Sequence, residues 1–217
     1  MPYLASSLVS PSTIDKRGGV AYYNPITGGG SMLIDAGDGY GEPMNVIISG
    51  LSSPAVRTLD GAINFARAIG FSEECFGLHL GGYMSANLGD GNGWVNQTIE
   101  LRQDYGNPAG GTCLESLIGG NHFRIYVQNG TAADSGALFL AVSREEPLSK
   151  NHDIVPDGYD IGRDQLVSAA IGRTRFNGVK YNTVAQNITG LLVPGAAGVN
   201  HGIALDGIVT LLTVTID

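Results

Sequence analysis

Glycine sets the first limit on this fold. The chain holds 33 glycines in 217 residues, roughly twice ordinary usage. They cluster at 28–30, 37–41, 89–93, 110–111 and 119–120. No Gly-X-Y period exists, so a collagen-like rod is excluded. The clusters punctuate apolar segments instead, and they imply long irregular connections within one domain. Charged residues make up 15% and hydrophobic ones 43%. A chain this apolar and sparsely charged can offset its chain entropy by burial, so it is expected to fold. The formal net charge is −8. With no basic stripe to neutralise phosphates, nucleic acid is not expected as a partner. No stretch reaches the roughly 18 apolar residues of a membrane helix, so no membrane insertion is expected.

The apolar pattern predicts an α+β fold: a single domain, mostly antiparallel sheet, two or three helices and long Gly-rich loops. Residues 1–19 read as an extended arm and 20–217 as the globular domain. Short strands are expected at Val20–Tyr23, Met44–Ser49, Cys75–Leu80 and Gln97–Arg102. Ser53-Pro54 reads as the start of a helix that Gly70 ends. Cys113–Ile118 reads as a short helix. His122–Gln128 and Ala137–Ser143 read as a hairpin, and Asp160–Ile171 as a helix. Val179–Val184 and Ile203–Ile216 read as closing strands.

Cys75 and Cys113 are expected to form one disulfide, with two buried thiols as the alternative. Asn96, Asn129 and Asn187 each open an Asn-x-Thr glycosylation sequon. Together these features point to a secreted, extracellular glycoprotein.

Three segments carry a resemblance. Residues Pro43-Met44-Asn45-Val46-Ile47-Ile48-Ser49-Gly50, then a helix and Ala68-Ile69-Gly70-Phe71, form the first. Asn121-His122-Phe123-Arg124-Ile125-Tyr126 is the second. The third runs Asn151-His152-Asp153-Ile154-Val155-Pro156-Asp157-Gly158-Tyr159-Asp160-Ile161-Gly162-Arg163-Asp164. In order and spacing they resemble the LssY C-terminal domain family over about residues 43–167. The chain departs from that pattern at Phe71 (usually Trp), Asn151 (usually His) and Gly162 (usually Glu). The whole chain also resembles Gly-rich fungal proteins with a Gly-Ile-Val-Thr-Leu-Leu-Thr-Val-Thr tail. The resemblance implies a related fold and a shared site. It implies no assigned chemistry.

The candidate catalytic set is His122, Arg124, His152, Asp157, Asp160, Arg163 and Asp164. His122 and Arg124 lie two apart on a strand and share a face. Asp160, Arg163 and Asp164 lie at i, i+3 and i+4 and share a helix face. Converging, they would suit a hydrolase acting on phosphate esters, with His as base and acid and Arg holding the oxyanion. A divalent metal on His and Asp is an equal use of such a set, and capping and ion pairing are the structural alternative. No cofactor is expected and no metal site is assigned. The acidic loops Asp35–Glu42 and Asp90–Asn92 offer oxygen ligands but not an EF-hand, since Leu101 stands twelfth from Asp90. Cys75 and His79, four apart, suggest a nucleophilic dyad. A second class of function is non-catalytic binding of a small-molecule or carbohydrate ligand, or a structural role at the cell surface. Trp94 and Tyr83, in Gly/Asn/Asp-rich loops, are its candidate ligand-binding residues.

Overall fold

A computed structural model describes residues 19–77 and 82–217. The expected arm, His79 and the end of the Cys75–Leu80 strand lie outside the described residues. The fold is α+β with a mostly antiparallel sheet, as expected.

The strands among the described residues are β1 (Met44–Ile48), β2 (Phe71–Glu73), β3 (Ser85–Asn87), β4 (Trp94–Asn96), β5 (Ile99–Gln103), β6 (Gly120–Gly130), β7 (Ala133–Glu145), β8 (Gly172–Phe176), β9 (Val179–Ile188) and β10 (Val209–Ile216). The helices are α1 (Leu59–Ala68), α2 (Gly111–Ile118) and α3 (Gly158–Ala170). Eight strands form one sheet in the order β2-β5-β6-β7-β1-β10-β9-β8, and β3-β4 form a separate ribbon. The β1–β10 pair is parallel, and the other strand pairs are antiparallel.

Strand β1 lies mid-sheet, and all five of its residues are buried. That matches its continuous apolar run, because both faces of the strand are covered. A bulge between Met44 and Val46 breaks its pairing with β7. Asn45 fills the break. Its Nδ2 donates to the carbonyls of Val142 (3.0 Å) and Tyr159 (2.9 Å), and its Oδ1 accepts from the Val142 amide (3.1 Å). The side-chain amide thus replaces the backbone groups that a bulge leaves unpaired.

Four expectations need correction. Val20–Tyr23 is not a strand, with only a bridge position at Val20, and the described start of the expected Cys75–Leu80 strand, Cys75–Gly77, is a 3-10 turn. Ser53-Pro54 opens only a 3-10 turn, Pro54–Arg57. Thr58 is extended and restarts the chain as α1, with its Oγ1 accepting from the Gly61 amide. The hairpin is also longer than expected, because Asn129 pairs with Asp134 and Gly130 with Ala133 across a tight turn.

The sheet separates two cores. On one side α1 and α3 pack Phe65, Ala66 and Leu166 against Phe123, Leu140 and Leu212. On the other side, loops cover Met44, Phe139 and Leu211 with Tyr22, Met32, Ile34, Leu191 and Leu205. Loops can serve as a layer only where backbones approach closely. A Cβ on Gly28 would fall 1.9 Å from the Gly89 carbonyl oxygen. The glycine excess therefore builds the second cover of the sheet.

Candidate functional site: a buried Glu-Arg-His centre

The loop-covered face turns polar at its β5-β6-β7 end. Register places Arg102 beside His122, Glu100 beside Arg124, and His122 beside Ser143. Side chains alternate along each strand, so Glu100, Arg102, His122, Arg124, Ser143 and Glu145 share this face. Gln103, Asn121 and Arg144 turn to the other face, where they help line an open pocket of about 470 Å³.

Five carboxylates meet two guanidiniums here. Arg102 Nη2 lies 2.6 Å from Glu100 Oε1. Its Nη1 lies 3.1 Å from Glu115 Oε2 and 2.9 Å from Glu145 Oε2. Its Nε faces Glu74 Oε1 at 3.6 Å. Arg124 Nη1 donates to Glu42 Oε2 (3.2 Å) and to His122 Nε2 (3.0 Å). Arg124 Nε lies 3.1 Å from Glu100 Oε2, but off-line, as an ionic contact.

The two histidines meet at one carboxylate. His122 Nδ1 is 3.4 Å from Glu145 Oε1, and His152 Nδ1 is 3.4 Å from Glu145 Oε2. His122 is fully buried, whereas the His152 side chain is 27% exposed. His152 follows the 3-10 turn Leu148–Lys150 and, like Asn151, has left-handed backbone (φ 57° and 58°). Two such non-glycine residues in succession are uncommon and mark a locally constrained segment.

Electrostatics follow from burial. Burial, then Arg124 and Arg102, holds the His122 imidazole well below its usual range, so it stays neutral. Its Nε2 faces the Arg124 donor, which puts the ring proton on Nδ1, toward Glu145. Burial pushes the Glu115 carboxyl up to about 7, against the pull of Arg102. Burial also raises the Glu42 carboxyl despite Arg124. For Arg102, burial opposes the charge, but Glu100, Glu145 and Glu115 outweigh it and keep it protonated.

The Cys75–Cys113 disulfide is formed. It ties the turn Cys75–Gly77 to α2. Glu74 and Glu115 flank this link in sequence, so the disulfide helps hold both carboxylates on Arg102. It also removes both thiols as nucleophiles, which overturns the Cys75–His79 dyad.

The helix half of the expected catalytic set lies elsewhere. Arg163 donates to Asp206 through Nη1 (2.7 Å) and Nη2 (2.8 Å), to Asp164 (2.8 Å), to Asp160 (3.3 Å) and to the Ile208 carbonyl (3.0 Å). Asp160 also accepts from the Asp206 amide. This network staples α3 to the chain entering β10. Among the described residues no contact joins it to His122 or His152. Asp157 is exposed and precedes α3 in left-handed backbone, without a side-chain cap.

The acidic loops are occupied too. Asp90 accepts from the amides of Asn92, Asn129 and Gly130. Asp35 accepts from the Gly37 amide, and Glu42 turns inward to Arg124. Trp94 (56%) and Tyr83 (66%) are exposed at and beside the β3-β4 ribbon. Asn96, Asn129 and Asn187 are exposed as well.

Sequence reasoning found His122, Arg124 and His152 but not Glu74, Glu100, Arg102, Glu115 or Glu145. A signal for two of them was present. Glu100 and Arg102 alternate as His122 and Arg124 do, and pairing the two charged strand faces would have joined them.

No family model, curated protein or solved structure matches this chain.

Proposed function

We propose that this protein is a hydrolase acting on phosphate esters, with His152 as its working acid–base group and Glu145 as the carboxylate that orients it. One observation carries the reading. His152 is partly exposed, and its Nδ1 lies 3.4 Å from the buried Glu145 carboxylate, an ionic contact rather than a hydrogen bond. A carboxylate behind an imidazole fixes the tautomer, orients the ring and stabilises the imidazolium formed when Nε2 takes a proton. Nε2 would take a proton from water attacking the phosphorus and return it to the leaving oxygen. Arg124 has a different role from the oxyanion clamp expected of it. Its guanidinium is engaged by Glu42, Glu100 and His122, so it orders the buried groups. Even with the raised Glu42 and Glu115 protonated, Glu74, Glu100 and Glu145 outnumber the two guanidiniums and repel an anionic ester, so the reading calls for a cation beside the substrate. The formed disulfide and three exposed sequon asparagines support secretion into an oxidising compartment. The resemblance to the LssY C-terminal domain family supports a shared site around His122 and His152.

A second reading, carbohydrate binding, has the exposed Trp94 and Tyr83 in its favour. Trp94 pairs with Asn87 across the ribbon, which sets an aromatic face beside an amide.

Turnover of p-nitrophenyl phosphate and bis(p-nitrophenyl) phosphate, with and without added divalent cations, tests the first reading. Absence of turnover under every condition contradicts it. A specific glycan-array ligand, lost in Trp94→Ala, favours the second.

A further inference from the structure

We infer that Glu115, His122 and Glu145 form a binding site for one divalent transition-metal ion, Zn²⁺ or a close substitute. The inference supplies the cation the hydrolase reading calls for and rests on that reading only for its catalytic meaning.

The geometry fits an ion. One ligand atom from each of the three residues lies within 4.8 Å of the others, and all three residues are buried. His122 Nδ1 and Glu145 Oε1 are 3.4 Å apart. Bonds of about 2.0–2.1 Å set neighbouring tetrahedral donors about 3.3 Å apart.

A second, independent observation is what these atoms lack. Glu115 Oε1 and His122 Nδ1 are buried without a hydrogen-bond partner. Native interiors rarely leave such atoms unsatisfied. Both belong to side chains with almost no exposure in the three-residue cluster, and His122 Nδ1 faces the Glu145 carboxylate at 3.4 Å. The surplus of carboxylates over guanidiniums adds a charge argument for a cation in the same place.

The donor types select the ion. Two carboxylates and an imidazole suit Zn²⁺, Fe²⁺, Mn²⁺ or Co²⁺, whereas Ca²⁺ and Mg²⁺ favour all-oxygen shells. Three protein ligands leave a coordination position open, as at catalytic rather than structural zinc sites. His152 faces the other oxygen of Glu145 and stays outside the ligand set. Binding at Nδ1 requires the His122 proton to move to Nε2 and the Arg124 Nη1 donor to turn from Nε2 to Glu42, its other partner at 3.2 Å. Ser143 Oγ lies 3.3 Å from Nε2 and accepts it there. Ser143 is thus a positioning residue for the ligand ring.

The test is calorimetric titration of the chelator-stripped, tag-free full chain with Zn²⁺, then Co²⁺. The expected result is one ion per chain, with strong visible absorption in the Co²⁺ form. Glu115→Gln and His122→Asn are each expected to weaken binding at least about tenfold, and Ser143→Ala about tenfold or more. Asp206→Asn, outside the centre, is expected to bind as wild type does. Ser143→Ala keeps the test open if a ligand variant fails to fold. No saturable binding below millimolar ion, or unchanged affinity in the folded ligand and Ser143 variants, overturns the site. Ion binding without ester turnover leaves the site standing and removes the hydrolase reading. Turnover by ion-free protein, with no ion bound on titration, does the reverse.

Discussion

His152 Nδ1 lies 3.4 Å from Oε2 of Glu145. One residue ends β7 and the other follows a 3-10 turn. The chain reverses between them, and the Glu145–Ile154 bridge fixes the return. A partly exposed imidazole is thereby backed by a buried carboxylate. The expected test is Glu145→Gln. It keeps the side-chain shape but removes the charge that stabilises an imidazolium. Turnover is expected to fall by about 10²-fold or more, within the range for losing acid–base assistance. Steady-state rates on the nitrophenyl esters check it.

Removing the Cys75–Cys113 link should loosen the cover of the centre. The bridge spans 38 residues, and closing such a loop is worth about 4 kcal/mol in the chain-entropy picture. Cys75→Ala with Cys113→Ala is expected to lower stability by up to that amount. Amide exchange over Gly111–Ile118 is expected to quicken. Denaturant melts and hydrogen exchange measure both, and unchanged exchange in α2 would contradict its role as a tethered cover.

Gly162 marks how closely α3 sits on β7. A Cβ there would lie 2.8 Å from the Ser143 carbonyl carbon and 2.9 Å from Asn121 Oδ1. Gly162→Ala is therefore expected to destabilise by about 1–3 kcal/mol through overpacking, read as a lower denaturation midpoint. A glutamate has no room against the sheet here.

The Arg163 staple predicts an acid sensitivity. Burial pushes the Asp206 carboxyl up, but hydrogen bonds from Arg163 and the Ile208 amide outweigh it and hold it below the usual carboxylate range. A lowered folded pKa adds stability above the group's ordinary value, and that stability is lost as pH falls through the folded value. Burial, then Asp206, raises Asp160, which works in the opposite sense. Asp206→Asn is expected to be less stable than wild type near neutrality. The difference should narrow below about pH 4. Melting curves across that range would contradict the staple if the gap were constant.

The fold was legible where local pattern decides it. The buried run Met44–Ile48, the hairpin and α3 all follow from apolar spacing and turn residues. Thr58 was missed because a Ser-Pro start and a Thr cap compete within six residues, and only the extended backbone at Thr58 separates them. Half the site was legible for the same reason, since His122 and Arg124 share a face by alternation alone. The carboxylates were not legible, because Glu42, Glu74, Glu100, Glu115 and Glu145 come from separate segments that only sheet register and the disulfide assemble. The Arg163 group misled because a helix face rich in Asp and Arg looks alike whether it serves chemistry or an ion-paired staple. Its partner Asp206 lies 43 positions away, beyond any local spacing.

His152→Gln offers the most direct test. The residue is partly exposed and belongs to neither hydrophobic core, so the variant is expected to melt as wild type does. With Zn²⁺ present, its kcat/KM on bis(p-nitrophenyl) phosphate is expected to drop by at least about 10²-fold, while its ion affinity stays the same. A folded His152→Gln protein that turns over the ester at the wild-type rate would contradict His152 as the working acid–base group.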